Sequence, residues 1–411
     1  MDQTKKPTHF VLEHLQYCDN TLIWGSRKVS EIAEAAGQTP FYAYDSQRMT
    51  QRVAALREAM PAKLHIHYAM KANPMPEVVQ HFVGLVDGLD VASAGELDIA
   101  LETGLEPANI SFAGPGKRDA ELATAIASGI TVNLESENEM RRLADLANQV
   151  GRRPDVAIRV NPDFELKNSG MKMGGRASPF GIDAERVPSV IREIGNLDIN
   201  LRGFHVFAGS QNLRESAIGE SMSKSVELIL KVATTSDIKV DMVNLGGGLG
   251  IPYFPKEGPL DLSIVGEYAN EAIERLQREL GGPEVIMELG RFLVGESGIY
   301  VCKVLDVKVS QGKHFAICDG GLHHHLAASG NFGQILRKNY PVANVERRLD
   351  QPALFTVVGP LCTPLDLLAD NIHLDTLTEG SLVAVFQSGA YGLSASPRDF
   401  LSHPKCVELF I

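Results

Sequence analysis

Lys71, in YAMKAN at residues 68–73, closes an apolar run. A lysine at the end of a buried strand keeps its stem in dry surroundings, and burial lowers an amine's pKa until it is a nucleophile able to form a Schiff base. The plainer reading is a lysine that snorkels from a strand end. NLGGGLG at 244–250 ends a second such run, and Gly246, Gly247 and Gly248 let backbone N–H groups approach an anion closely. It is not a dinucleotide fingerprint, because GxGxxG read from Gly246 needs a glycine where Ile251 stands. GPGKR at 114–118 is no P-loop, since Arg118 follows Lys117 and the leading glycine is missing; it reads as a tight turn.

Glu288 and Arg291, in ELGR, and His205, in FHVFAG, end further runs of the same kind. Each alone reads as a salt-bridged or hydrogen-bonded strand-end residue. Together they supply a lysine nucleophile, an anion cradle, a carboxylate and an imidazole, which are the parts pyridoxal phosphate requires.

The elements that must position these residues repeat a βα rhythm. Strand-like runs begin at 41 (FYAYD), 64, 88, 110, 131, 156, 203, 242 and 285, with helical stretches at 47–60, 118–128, 137–150, 217–234 and 264–280. This predicts an α/β protein built on a (β/α)8 barrel over residues 38–289, with active residues at the C-terminal ends of its strands. After about residue 290 runs such as YVCKVLDVKVS and ALFTVVGP are separated by Gly, Pro and Asp, which reads as a β-rich domain. Residues 1–37 are expected to pack on that domain, formed with 290–411.

The chain has 411 residues and a net charge of −12, with 44% hydrophobic and 22% charged residues, the profile of a globular protein with a sizeable core. The acidic balance argues against nucleic acid or an anionic membrane as partner. The sequence lacks a signal-peptide pattern and an apolar stretch long enough to span a bilayer, so a cytoplasmic location is expected. Five scattered cysteines without CxxC spacing fit a reducing compartment; four of them, all but Cys362, read as ordinary buried thiols.

YAMKAN, DVASAGEL, SFAGPGK, AIRVNP, FHVFAGSQ, NLGGGLG, ELGR, CDGG, GPLCTPLD and SGAYG occur in the order found in the fold-type III pyridoxal phosphate decarboxylases, and the chain resembles that family of diaminopimelate, ornithine and arginine decarboxylases over nearly its whole length. KMGGRASPFGID, DGGLHHHLAASGNFGQ and SGAYGLSASPRDFLSHP resemble two subgroups. One decarboxylates a glutamyl group held on an acyl carrier protein; the other, which looks nearer, is the exosortase-associated decarboxylase.

The resemblance implies an alanine racemase-like barrel with pyridoxal 5'-phosphate held by Lys71 as an internal aldimine. Glu288 would face the pyridine nitrogen and His205 would stack on the ring. Asp90 and Glu96 would buttress the lysine side, and Arg159 would join the polar network. Gly246, Gly247, Gly248, Gly290, Arg291 and Tyr391 would surround the phosphate. It further implies a homodimer with shared active sites, in which Cys362 reaches the partner's cofactor, and Arg337 and Tyr340 approach the substrate carboxylate; a surface turn is the other reading of LRKNYP. Diaminopimelate decarboxylases carry a glutamate after that cysteine, whereas this chain has Thr363 and Pro364, so the substrate is expected to be an amino acid or conjugate other than free diaminopimelate or lysine. Asp366 is the one nearby acid that could replace the lost charge.

His323, His324 and His325 invite a metal reading, but strand neighbours point to opposite faces, so at most two could share an ion; no metal is expected, and a pocket role for one of them is preferred. A catalytically silent cofactor-binding relative is the alternative to an enzyme. It predicts damage at Lys71, the glycines, Glu288 or Cys362, and all are present.

Overall fold

The computed structural model describes residues 8–164, 171–172, 177–332, 334, 336–348 and 352–411; part of KMGGRASPFGID lies outside them. Two compact units result, one of Gln51–Ile251 and Leu260–Leu293, the other of Met1–Thr50, Pro252–Pro259 and Val294–Ile411.

The first unit is a closed (β/α)8 barrel. Its eight parallel strands are Leu64–Ala69, Gly88–Val91, Ile110–Phe112, Thr131–Leu134, Asp155–Asn161, Asn200–Val206, Met242–Gly247 and Glu284–Leu289. The Thr131–Leu134 and Asp155–Asn161 strands pair in register, as do Glu284–Leu289 and Leu64–Ala69, which closes the circle. Most strand residues are buried on both faces, as helix-covered parallel strands require. Ala157, Met242 and Ile286 form an apolar cluster from three of these strands.

Local chemistry starts the helices, of which Glu137–Val150 lies where the sequence placed it and Ala94–Glu102 is an addition. Ser93 and Ser136 cap Ala94–Glu102 and Glu137–Val150, their side chains accepting the N–H groups of Glu96 and Glu139. The helix Val187–Ile194 buries Val187, Val190, Ile191 and Ile194, a helical stripe facing inward.

In the second unit, strands of an antiparallel-dominated sheet run in the order Val342–Asn344, Leu382–Val385, Gly298–Ser310, Lys313–Cys318, Ala353–Val358 and Leu367–Leu374. Phe41–Tyr44, expected to open the barrel, instead pairs antiparallel with Gly298–Ser310 and parallel with Val407–Phe410. All four of its residues are buried, a pattern that suits the interior of either sheet, so the residue pattern could not tell them apart. Leu22, Trp24, Val29 and Ile32 share a core with Phe41, Ile299, Val301, Val345, Ala384 and Phe386. Among the described residues no helix is long and apolar enough to cross a membrane.

Candidate active site

Each barrel strand contributes one buried polar residue to a single band: His67, Asp90, Ser111, Asn133, Arg159, His205, Asn244 and Glu288, none more than 8% exposed. Around the barrel the register advances by two residues at four of the eight crossings and by none at the others, giving the stagger of eight that this fold needs. Barrel interiors are usually filled by branched apolar side chains, so a closed polar layer marks the end where chemistry occurs.

One arc is an extended hydrogen-bonded chain. Asp90 Oδ1 accepts from Ser111 Oγ at 2.5 Å and lies 3.3 Å from His67 Nδ1. Asn133 Nδ2 donates to Ser111 Oγ at 3.2 Å. On the opposite arc Asn244 Nδ2 donates to Glu288 Oε1 at 2.8 Å, and His205 Nε2 is 3.4 Å from the same oxygen.

The two buried acids are driven apart. Burial opposes charge on Glu288, yet His205, Lys71 and Arg159 outweigh it and hold the carboxyl well below the usual range. Burial pushes the Asp90 carboxyl up, and the negative charge of Glu288 adds to it, against His67 and Ser111. Acids separated in this way are a signature of sites built for proton chemistry.

Lys71 lies in the turn Met70–Ala72 directly after its strand, as the sequence indicated, but its side chain is exposed rather than enclosed in apolar surroundings. Its Nζ is 5.8 Å from the centre of the Phe207 ring. Its charge is felt by Glu96 as well as Glu288; burial nevertheless raises the Glu96 carboxyl, which accepts the Ala92 N–H at 2.7 Å.

The glycine run bends at Gly246, with φ of +64°, and a Cβ on Gly247 would lie 1.7 Å from the Glu288 carbonyl oxygen. Gly247 therefore allows the closest strand approach beside the candidate acid. The Gly246 N–H is already committed to Asn244 Oδ1 at 2.8 Å, so it is not among the N–H groups left for an anion. Gly290 and Arg291 are half-buried at the end of the next strand.

Arg159 has a partner the sequence did not reveal. Glu135 accepts from Arg159 Nη1 at 2.7 Å and from the Gly114 and Gly181 N–H groups at 2.7 and 2.8 Å. GPGK is a turn, as read, but Lys117 is only 3% exposed and donates to Gly114 O, Asn133 O and Glu139 Oε1 at 2.8, 2.8 and 2.9 Å. Its S-x-x-E neighbour at 136–139 was the available signal, because a cap places an acid one turn from the strand end.

Cys362 is exposed and Thr363 half-buried in the loop after Ala353–Val358. Asp366, offered as a replacement charge, is 3% exposed and accepts the N–H groups of Leu322 at 2.6 Å and Leu361 at 2.8 Å. A Cβ on Gly321 or Gly359 would meet that carboxylate at 2.1 or 2.3 Å, so it is sealed between two backbone segments and is a loop clasp rather than a substrate group.

Arg337 is likewise a clamp: Nε donates to Ser329 O at 3.0 Å, Nη2 to Leu367 O at 2.8 Å and Nη1 to Asn339 Oδ1 at 3.3 Å. Those bonds occupy three of its five N–H donors. Tyr340 is buried, with its ring 4.7 Å from that of Tyr253 and 5.5 Å from that of His325. Tyr391 is half-buried at φ +53° and its ring lies 6.2 Å from that of Phe332.

The three histidines lie on a turn, not a strand, and no group able to hold a metal occurs among the described residues. His325 is fixed by Ser388 Oγ at 2.9 Å and by the Ala328 N–H at 3.3 Å, and His324 Nε2 lies 3.0 Å from Pro404 O. Of the thiols read as buried, Cys302 and Cys318 are; Cys406 is half-buried and Cys18 exposed.

Comparison with known proteins agrees with this geometry. The model described as "Pyridoxal-dependent decarboxylase, pyridoxal binding domain" matches residues 46–295. The L-glutamyl-[BtrI acyl-carrier protein] decarboxylase of Niallia circulans is 38% identical, with 90% of this chain and 88% of that protein covered. A diaminopimelate decarboxylase of Aquifex aeolicus is 32% identical over 97% of this chain and 92% of its own length. The crystal structure of AQ1208 from Aquifex aeolicus superposes with a TM-score of 0.85 at 29% identity, over 97% of this chain and 92% of that one. The chain belongs to the pyridoxal-dependent decarboxylases. Its cofactor is pyridoxal phosphate and its reaction is decarboxylation.

The residues present fit that cofactor. Asp90 Oδ2 and His205 Nδ1 are buried polar atoms without a hydrogen-bond partner in the protein, beside an ionised Glu288 and an accessible lysine amine.

Proposed function

We propose that this enzyme removes the α-carboxylate from an amino-acid conjugate whose side chain does not end in a free ammonium, a carrier-bound acyl amino acid being the leading case. The observation that carries the reading is the state of GPLCTPLD. Thr363 and Pro364 bring no charge, and the one acid, Asp366, is sealed against backbone N–H groups, so the segment offers no carboxylate to a distal cation. The carrier-protein relative lends support, since its substrate is such a conjugate.

In this reading Lys71 would hold the cofactor's aldehyde carbon, Glu288 its ring nitrogen and His205 its face. Asp90, Glu96 and Arg159 would set the surrounding polar groups, and Gly246–Gly248, Gly290, Arg291 and Tyr391 its phosphate. When bound, the cofactor supplies an electron sink for the pair left when carbon dioxide departs. Glu288, kept ionised by its cationic neighbours, can hold a proton at the ring nitrogen. The Lys71 amine can move a proton to the reacting carbon. Cys362, exposed on its loop, is the proposed second donor, acting from the partner subunit of a homodimer. A cytoplasmic location accords with this chemistry.

The test is carbon dioxide release from cofactor-loaded protein, with Lys71→Ala as control, against free amino acids, γ-linked conjugates and carrier-bound forms. Release from conjugates, lost in the variant, is the expected result. Turnover of free diaminopimelate or lysine at a rate equal to that of the best conjugate would refute the proposed specificity.

A further inference from the structure

Asn244 is 1% exposed and stands two residues ahead of the first glycine of NLGGGLG. Its Nδ2 donates to Glu288 Oε1 and its Oδ1 accepts the Gly246 N–H, both at 2.8 Å. These partners fix the amide's orientation, because a carboxylate only accepts and an N–H only donates. Gly246 is held at φ +64° in the same turn, and Gly247 touches the Glu288 backbone more closely than any side chain would permit. A single amide therefore spans the turn and the acid, and neither bond is available to solvent.

We propose that Asn244 is a positioning residue that couples the glycine turn to Glu288, so that the part of the site suited to a phosphate and the part suited to a ring nitrogen are set together. The inference rests on the roles proposed above for Gly246–Gly248 and Glu288. Aspartate at this position would keep the acceptor for Gly246 and lose the donor to Glu288, placing two carboxylates in contact. Alanine would release both.

The experiment titrates pyridoxal phosphate and phosphate-free pyridoxal into cofactor-depleted protein carrying Asn244→Asp, Asn244→Ala, Glu288→Gln, or Asn244→Asp with Glu288→Gln. Asn244→Asp is expected to weaken pyridoxal phosphate about tenfold or more, the size of a lost hydrogen bond to a charged group. The double variant exchanges donor and acceptor, since a glutamine amide can donate to the new carboxylate, and should bind more tightly than Asn244→Asp alone. Asn244→Ala should narrow the preference for the phosphorylated ligand. A merely structural asparagine predicts equal cost for both ligands and no recovery, and that result would overturn the coupling. Damage in Glu288→Gln beside unaffected Asn244 variants would also overturn it. Unaltered cofactor binding and turnover in Glu288→Gln would overturn the reading of Glu288 and the coupling with it.

Discussion

Arg159 donates to Glu135 across 2.7 Å, and the same carboxylate takes the backbone N–H groups of two separate loops, at Gly114 and Gly181. Burial disfavours the charge on Glu135, but Arg159, helped by Lys117 and the Gly114 N–H, more than compensates and holds its carboxyl below the usual range. The guanidinium is thus anchored by a group that also fixes the rim of the barrel.

Replacing Glu135 by alanine leaves the arginine charge buried and two N–H groups unmatched. A loss of about 3–5 kcal/mol is expected, the range for breaking a buried pair, read from denaturant unfolding. Glu135→Gln keeps an acceptor and should cost less. Equal stability of both variants to wild type would show that the pair is dispensable.

Lys117 and Glu139 form a second buried pair, with side chains 1% and 4% exposed. Burial pulls the lysine down and the glutamate up, the mark of a pair whose desolvation offsets much of its attraction. Lys117→Ala should therefore destabilise more than Lys117→Met combined with Glu139→Gln, which removes both charges. Unfolding midpoints of the two proteins decide the matter; an equal or larger loss in the double variant would contradict it.

His325 has its pKa lowered by burial from 6.5 to about 3. The folded protein binds this proton less readily than the unfolded chain does, so the stabilisation is complete above about pH 6.5 and is lost as pH falls toward 3. At pH 5 the loss from this one residue is about 2 kcal/mol, at 1.36 kcal/mol per pKa unit. His325→Gln should flatten the fall in unfolding free energy between pH 7 and pH 5, measured by denaturant titration, and an unchanged slope would argue against a buried neutral imidazole.

Asp366→Ala strands the N–H groups of Leu322 and Leu361, each worth about 1–3 kcal/mol when buried and unpaired. Lower stability with an unaltered ranking of substrates is expected in carbon dioxide release assays. A changed ranking at unchanged stability would return the residue to the substrate side.

Shared active sites predict complementation. Lys71→Ala and Cys362→Ala, each inactive alone, should regain part of the activity when mixed and re-equilibrated, because a mixed dimer carries one site with both residues intact. Dimers verified as mixed but devoid of turnover would exclude a composite site.

Much of this was legible in the residues. Nine strand-like runs are legible in the sequence and eight of them build the barrel, because short apolar parallel strands alternating with amphipathic helices leave a strong period. Lys71, His205 and Glu288 stand at strand ends, where each alone reads as ordinary and only their convergence is informative. The fate of Phe41–Tyr44 was not legible, since four buried residues carry no sign of which sheet completes them. Nor were the duties of Asp366 and Arg337, which depend on backbone groups brought in from distant segments. His67, Ser111, Asn133 and Asn244 are not legible as site residues, because a polar residue within a strand reads as an ordinary alternation until the barrel closes and all eight converge.

The nesting of the two units has a consequence for biosynthesis. Phe41–Tyr44 emerges from the ribosome about 250 residues before Gly298–Ser310 and later still before Val407–Phe410, the strands that flank it on either side. Through most of that interval the barrel is open as well, because Leu64–Ala69 must wait for Glu284–Leu289, and Phe41–Tyr44 waits longer still for Val407–Phe410. FYAY therefore keeps one edge open until the C-terminal strand of its sheet has been made.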